Sequence, residues 1–135
     1  DVMTFTYCDD LISDFHKDVY GYRPRESFWN EWETLTPTQK QTIWDEYDRV
    51  SELQVIEAKA QEERDVAKFE DRVQDVINIG AGNRKTALKW IADSETFYHG
   101  QDVEHFVWQQ GILFTGYGRQ LIKDLLEIVK YEEYA

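Results

Sequence analysis

Forty-two consecutive residues, from 38 to 79, contain neither glycine nor proline, although Pro37 stands directly before this stretch and Gly80 directly after it. One helix of that length would measure about 63 Å at 1.5 Å per residue. A compact domain of 135 residues has a radius of gyration of only about 14 Å. The chain therefore either extends a helix beyond its own core or breaks that helix without the usual breaker residues. Both outcomes favour an interaction protein over a closed catalytic globule.

The composition of the chain also favours helices. Seven glycines and two prolines are too few for the many turns of an all-β fold, and no segment alternates convincingly with period two. We predict an all-α fold of about six helices around one long helix over approximately 37–79. Residues 1–36 supply the N-terminal helices, and residues 83–131 supply a C-terminal helical subdomain that ends in a helical hairpin. Together these parts are expected to form one domain.

The start of the long helix is the clearest local signal in the chain. Thr36 is suited to cap it, Pro37 takes the first helical position, and Gln39 completes a capping box. Apolar residues then recur at spacings of three and four, at Ile43, Trp44, Tyr47, Val50, Leu53 and Ile56. Residues 57–65 are polar except for two alanines, so the sequence leaves open whether this stretch is straight or bent.

The last part of the long helix carries a 3-4-3 apolar seam, formed by Val66, Phe69, Val73 and Val76. An apolar seam on a projecting helix needs a cover. We therefore predict that this seam is the contact of a homodimer with coiled-coil character.

The shorter helices are predicted from their caps. Thr6 is suited to start the first helix, and Gly21 to end it. A second helix is expected over about 26–34. Further caps are expected at Asn83, Asp102 and Thr115, each before a segment with apolar residues at helical spacing.

Charge is unevenly distributed along the chain. The net charge is −12, and residues 1–56 account for −7 of it, with 12 Asp or Glu against 5 Lys or Arg. Attraction to nucleic acid and to anionic membranes is therefore disfavoured. The charge is compatible with a basic protein partner, and its ordinary interpretation is solubility. We predict a partner-binding surface in which aromatic and acidic residues alternate, comprising Phe28, Trp29, Glu31, Trp32, Glu33, Asp45 and Glu46.

Residues 103–123 support an alternative function. Gly111 stands where a helix-turn-helix motif has its turn, and Thr115 would cap the recognition helix. A DNA-binding regulator would then use Thr115, Tyr117, Arg119, Gln120 and Lys123 on bases or phosphates. The net charge of −2 over 80–135 opposes this, because a DNA-binding face is normally basic.

No catalytic motif is found in the sequence, and we expect a protein that is not an enzyme and needs no cofactor. A metal-dependent hydrolase is the third hypothesis, based on Asp14, His16 and Asp18, although His16 falls on a different helix face from the two acids. The ordinary interpretation of this segment is a solvated helix face on which Arg23 or Arg25 pairs with an acid. The single Cys8 cannot form an intramolecular disulfide and fits a reducing cytoplasm.

Two stretches carry a resemblance to a group of proteins, SDFHKDVYGYRPRESFWNEW at 13–32 and TALKWIADSE at 86–95 with the EHFVWQQGI turn that follows. They resemble small helical proteins of tailed bacteriophages, over about a third of the chain. The resemblance implies no site residues. It implies a protein of the infected bacterial cytoplasm, acting as an inhibitor of a host nucleic-acid-handling or defence protein, or as a helix-turn-helix regulator.

Overall fold

A computed structural model describes residues 4–133. These residues form six α-helices and no strand, which confirms the predicted all-α class. In chain order the helices are α1 (Ile12–Tyr20), α2 (Glu26–Trp32), α3 (Pro37–Val76), α4 (Arg84–Asp93), α5 (Gly100–Gln109) and α6 (Gly116–Leu126). A π-helical turn, Ile77–Ala81, follows α3 directly.

The long helix α3 begins where its cap predicts. The Gln39 backbone N–H donates to Thr36 Oγ1 at 3.2 Å, and the Thr36 N–H donates to Gln39 Oε1 at 2.9 Å. These two bonds complete a capping box. The helix is continuous through 57–65, the stretch whose course the sequence leaves open.

The N-terminal segment differs from the prediction. Thr6 does not cap a helix, because its backbone N–H and its hydroxyl both bond the side chain of Gln41, at 2.7 and 2.9 Å. Gln41 is buried, and its amide group holds residues 6 and 7 against α3. The first helix therefore begins only at Ile12.

The chain divides into two compact units, Asp1–Ala58 and Lys59–Ala135, and α3 contributes residues to both. In the first unit, α1, α2 and the first part of α3 enclose a core of Ile12, Val19, Trp32 and Tyr47. Edge-to-face ring contacts extend this core, such as Phe15 on Trp44 at 4.8 Å between ring centroids.

The second unit has a larger core. Phe69 and Val73 on α3 pack with the inward residues of α4, α5 and α6, among them Leu88, Phe106 and Leu125. The helical hairpin predicted at the C-terminal end is present, with α5 packed against α6.

Predicted caps in this unit are largely confirmed. Asn83 accepts from the Thr86 N–H at 2.8 Å, and Thr115 accepts from the Gly118 N–H at 2.9 Å. Asp102 is not the N-cap that the sequence predicts, because His99 is the N-cap of α5. The Asp102 carboxylate instead accepts from the Tyr98 and His99 backbone N–H groups at 2.8 and 3.2 Å. These bonds hold the pKa of Asp102 below its usual value.

Candidate partner-binding surface

The first unit carries an excess of carboxylates that its own cations do not neutralise. Residues 1–58 contain 13 Asp or Glu and 5 Lys or Arg. Three of the five cations are engaged in ion pairs, Arg23 with Asp14, Lys40 with Asp9, and Arg49 with Glu46. The Arg23 pair confirms the ordinary interpretation of the 14–25 segment as a charged helix face. What remains on the surface of this unit is strongly negative.

The aromatic residues of the predicted partner-binding surface divide into core and partly exposed residues. Trp32 is only 3% exposed, and its indole N–H donates to Asp9 Oδ1 at 2.9 Å. Phe28 stacks on Trp32 with 5.7 Å between ring centroids, and Trp29 meets Phe28 edge to face. This corrects the prediction for Trp32, because a buried and hydrogen-bonded indole has no free face for a partner. Phe28 and Trp29 are half-buried and keep part of their rings at the surface.

The acidic residues of that predicted surface are all exposed. Glu31 and Glu33 form no ion pair among the described residues. Asp45 accepts from Gln41 Nε2 at 2.8 Å. Glu46 pairs with Arg49, and the hydrogen bond from that guanidinium lowers the pKa of Glu46. All four side chains are therefore at the surface, although Asp45 and Glu46 already have partners within α3.

A second feature of the same unit was missed by sequence reasoning. Leu53 and Ile56 continue the apolar spacing of the first part of α3, yet they are 52% and 63% exposed, and Val55 is 65% exposed. The first-unit core ends near Val50, which packs partly buried against it. Beyond that point these side chains are exposed, although α1 still contacts α3 where Gln54 Nε2 donates to the Val19 carbonyl oxygen at 2.8 Å. The spacing alone carries no signal of where a core ends.

Upstream of these apolar residues, carboxylates occupy one face of α3. Asp45, Asp48 and Glu52 are spaced by three and four residues and so lie above one another on the helix surface. Val55 and Ile56 stand three and four residues beyond Glu52 and continue that face. Together with Ser51, they line a shallow depression. We call this face, Asp45–Asp48–Glu52–Val55–Ile56, the outer face of α3.

His16 is a buried residue rather than a surface ligand. Its Nδ1 lies 2.8 Å from the carbonyl oxygen of Tyr22, and its ring contacts those of Tyr20, Phe28 and Tyr47. Burial of Tyr47 raises the pKa of that phenol to about 12. Within residues 4–133, no group of three or more His, Cys, Asp or Glu is arranged to hold a metal ion. The metal-dependent hydrolase stays a prediction, and of the three residues on which it is based His16 is buried.

The predicted dimer seam lies inside the second unit. Phe69 and Val73 are each 2% exposed, and Val66 and Val76 pack against the same core. Residues of α4, α5 and α6 in the same chain pack over this seam. The seam therefore no longer supports a homodimer, and a homodimer stays a prediction without an assigned interface.

The residues predicted for DNA binding include one that is held in a hydrogen-bonded cluster, Tyr117, and three that are exposed. The Tyr117 hydroxyl donates to Glu70 and accepts from Arg84, and this cluster joins α3, α4 and α6. The bond from Tyr117 and, secondarily, the Arg84 guanidinium lower the pKa of Glu70, while burial raises the pKa of Tyr117. Tyr117 therefore serves packing within its unit. Only the exposed side chains of the set, Arg119, Gln120 and Lys123, remain open to a ligand.

None of the helices in the described part of the chain combines the length and apolar character needed to cross a membrane. Comparison with protein-family models, with curated proteins and with solved structures gave no match for this chain.

Proposed function

We propose that this protein is a non-enzymatic interaction module whose first unit binds a basic surface of another protein. The observation that carries the proposal is the uncompensated charge of that unit, 13 acids against 5 bases, with three of the bases already paired within the chain. Carboxylates in excess raise the association rate with a cationic partner and repel anionic ones.

The target class follows from the same electrostatics. Proteins that handle nucleic acid present basic surfaces to phosphates, so an acidic module can occupy such a surface. Together with the resemblance to phage proteins, this favours an inhibitor of a host nucleic-acid-handling or defence protein, acting in the bacterial cytoplasm. The partly exposed rings of Phe28 and Trp29 would supply apolar anchors beside Glu31 and Glu33.

The experiment is capture of partners from a nuclease-treated bacterial lysate by the tagged protein, read by mass spectrometry. The test variant is Glu31→Lys/Glu33→Lys, and the matched control is Glu95→Lys/Glu104→Lys, which makes the same change of charge at exposed positions of the second unit. We expect a stoichiometric protein that wild type and control retain, that the test variant loses, and that about 1 M salt releases, since the Debye length is then about 3 Å. Equal retention by both variants would contradict the proposal.

Light scattering on the same samples tests the predicted homodimer.

The alternative, a DNA-binding regulator, is favoured by one observation. The turn between α5 and α6 contains Gly111 at a φ of 81°, and Thr115 caps α6, as a helix-turn-helix requires. Its test is the variant Arg119→Ala/Lys123→Ala. Under this alternative the variant should bind DNA more weakly and with a reduced dependence on salt. Capture of a partner through the first unit should be unaffected by it.

A further inference from the structure

We infer that the outer face of α3 is the docking site for a basic amphipathic helix of the partner. This inference rests on the proposed function and deepens it by adding a second apolar contact to the one proposed at Phe28 and Trp29 and by naming the kind of segment that the partner presents there. The exposed pair of Val55 and Ile56 supplies that contact, and the carboxylates of Asp45, Asp48 and Glu52 supply the charge.

The apolar part of the site is an exposed patch on a regular helix. Val55 and Ile56 are 65% and 63% exposed, and Leu53, which neighbours Ile56 at a spacing of three residues, is 52% exposed. A single exposed apolar side chain needs no explanation, but adjacent ones in a regular helix leave a surface suited to cover by another element. A helical segment with apolar residues at spacings of three and four presents a matching stripe.

The carboxylates around this apolar patch determine which kind of partner can bind it. The three carboxylates lie on the same face as Val55 and Ile56, over an axial distance of about 16 Å from Asp45 to Ile56 at 1.5 Å per residue. Among the described residues, neither Asp48 nor Glu52 makes an ion pair. A helix with Lys or Arg on one side of its apolar stripe would meet carboxylates along about two turns, from Asp45 to Glu52.

A second copy of this chain fits less well than a basic helix. Two first units, each with a net charge of −8 from 13 acids and 5 bases, would bring like charges together around a small apolar contact. An anionic surface of any kind meets the same repulsion. The complementary occupant is therefore cationic, and the apolar pair requires it to be amphipathic.

The test uses the full chain and two synthetic peptides labelled with a dye, with binding followed by fluorescence anisotropy. One peptide is an 18-residue Leu/Lys amphipathic helix, and the other has the same charge with every Leu replaced by Gln, about 18 residues being long enough to cover the face. The apolar variant is Val55→Ala/Ile56→Ala, which keeps good helix formers at both positions. Its control is Ile79→Ala, at an apolar residue of the second unit that is 78% exposed.

We expect the apolar variant to weaken binding of the Leu/Lys peptide about tenfold, since it removes several methyl and methylene groups from the contact. It should change binding of the Gln/Lys peptide by less than about twofold, and the Ile79→Ala control should match wild type with both peptides. Circular dichroism confirms that each variant keeps its helix content.

A charge variant, Asp48→Lys/Glu52→Lys, separates this inference from the proposed function. If the charge variant weakens binding but the apolar variant does not, the apolar contact assigned to Val55 and Ile56 is wrong, while an acidic binding module survives. If the apolar variant has no effect on the Leu/Lys peptide, or if wild type binds it more weakly than about 1 mM, the inference is overturned. The capture experiment with Glu31→Lys/Glu33→Lys decides the proposed function independently.

Discussion

The indole N–H of Trp32 depends on one carboxylate. Trp32 is 3% exposed, and Asp9 accepts from its Nε1 at 2.9 Å and from Lys40 Nζ at 3.2 Å. The bond from Trp32 is the main reason that the pKa of Asp9 is lowered, and Lys40 adds to it. Lys40 also lies 5.2 Å from the centre of the Trp32 ring, so the three side chains form one cluster that attaches the N-terminal segment to α2 and α3.

Replacing Asp9 by alanine should destabilise the first unit by about 1–3 kcal/mol, because the buried indole N–H loses its acceptor. Asp9→Asn is the matched control, since its side-chain oxygen can still accept from Trp32 while the charge facing Lys40 is lost. We expect Asp9→Asn to cost less than about 1 kcal/mol, as exposed ion pairs do. Urea unfolding followed by tryptophan fluorescence measures both, and equal losses would show that charge, not the acceptor, is what matters.

The Tyr117 hydroxyl makes a stability contribution that depends on pH. Tyr117→Phe removes the donor to Glu70, which should cost about 1 kcal/mol near pH 7. The pKa of Glu70 is lowered in the folded state from an ordinary value of 4.5. Stabilisation of the carboxylate is therefore fully present above pH 4.5 and is lost as the pH falls through the folded pKa. The difference in unfolding free energy between wild type and Tyr117→Phe should shrink at acid pH.

The matched control for that measurement is Tyr22→Phe, at an exposed tyrosine of the first unit. Urea titrations at several pH values between neutral and acid should show little change for it at any pH. A Tyr117→Phe deficit that stays constant down to the lowest pH would mean that the hydroxyl acts through packing and not through the carboxylate.

At the scale of the element, the turn between α5 and α6 depends on a close approach of backbone to backbone. Gly118 is buried in the first turns of α6, and a Cβ there would overlap the carbonyl oxygen of Ile112. Gly116 lies two residues earlier in the same helix, and a Cβ there would meet nothing within 4 Å. The two glycines therefore have opposite roles, although nothing in the sequence distinguishes them.

Gly118→Ala should destabilise the protein by about 1–3 kcal/mol through overpacking. Gly116→Ala should stabilise it by about 0.4–1 kcal/mol, because alanine at a compatible helical position lowers the entropy of the unfolded chain. Thermal unfolding followed by circular dichroism measures both changes. Loss of stability in both variants would show that the start of α6 is more constrained than the described contacts indicate.

Helices were predictable here where their signals are local. The capping box at Thr36 and Gln39 and the caps at Asn83 and Thr115 each depend on residues within three positions of one another. The start of α1 was not predictable, since Gln41 holds Thr6 from 35 residues away. A cap residue offers hydrogen bonds but does not specify its partner, so a distant amide was able to replace the helical one.

The candidate site, like the helices, was predictable from the sequence only in part. The acidity of the first unit is a property of composition and was evident in the sequence. The burial of Trp32 and the exposure of Ile56 were not, because both lie at apolar positions with suitable spacing. Which of them is covered depends on where neighbouring helices end. The seam at Phe69 and Val73 is likewise not available as a dimer contact, because α4, α5 and α6 of the same chain pack over it.

At the scale of the whole molecule, the two units have separate cores although α3 belongs to both. The sequence predicts a single domain, and stability measurements can decide whether the units unfold together. Ile12 in the first core and Leu125 in the second are each fully buried. Truncation of either to alanine should cost about 2–5 kcal/mol, from lost burial and the cavity left behind.

Residue-resolved hydrogen exchange shows which helices lose stability in each variant. If each core stabilises its own unit, Ile12→Ala should lower amide protection in α1, α2 and the first part of α3, and leave α4, α5 and α6 protected. Leu125→Ala should do the reverse, so the two variants are controls for each other. A loss of protection spread equally over both units in either variant would show that the continuous α3 makes them one cooperative domain, as the sequence predicts. Separate responses would instead mean that the acidic unit can lose its fold while the second unit stays intact.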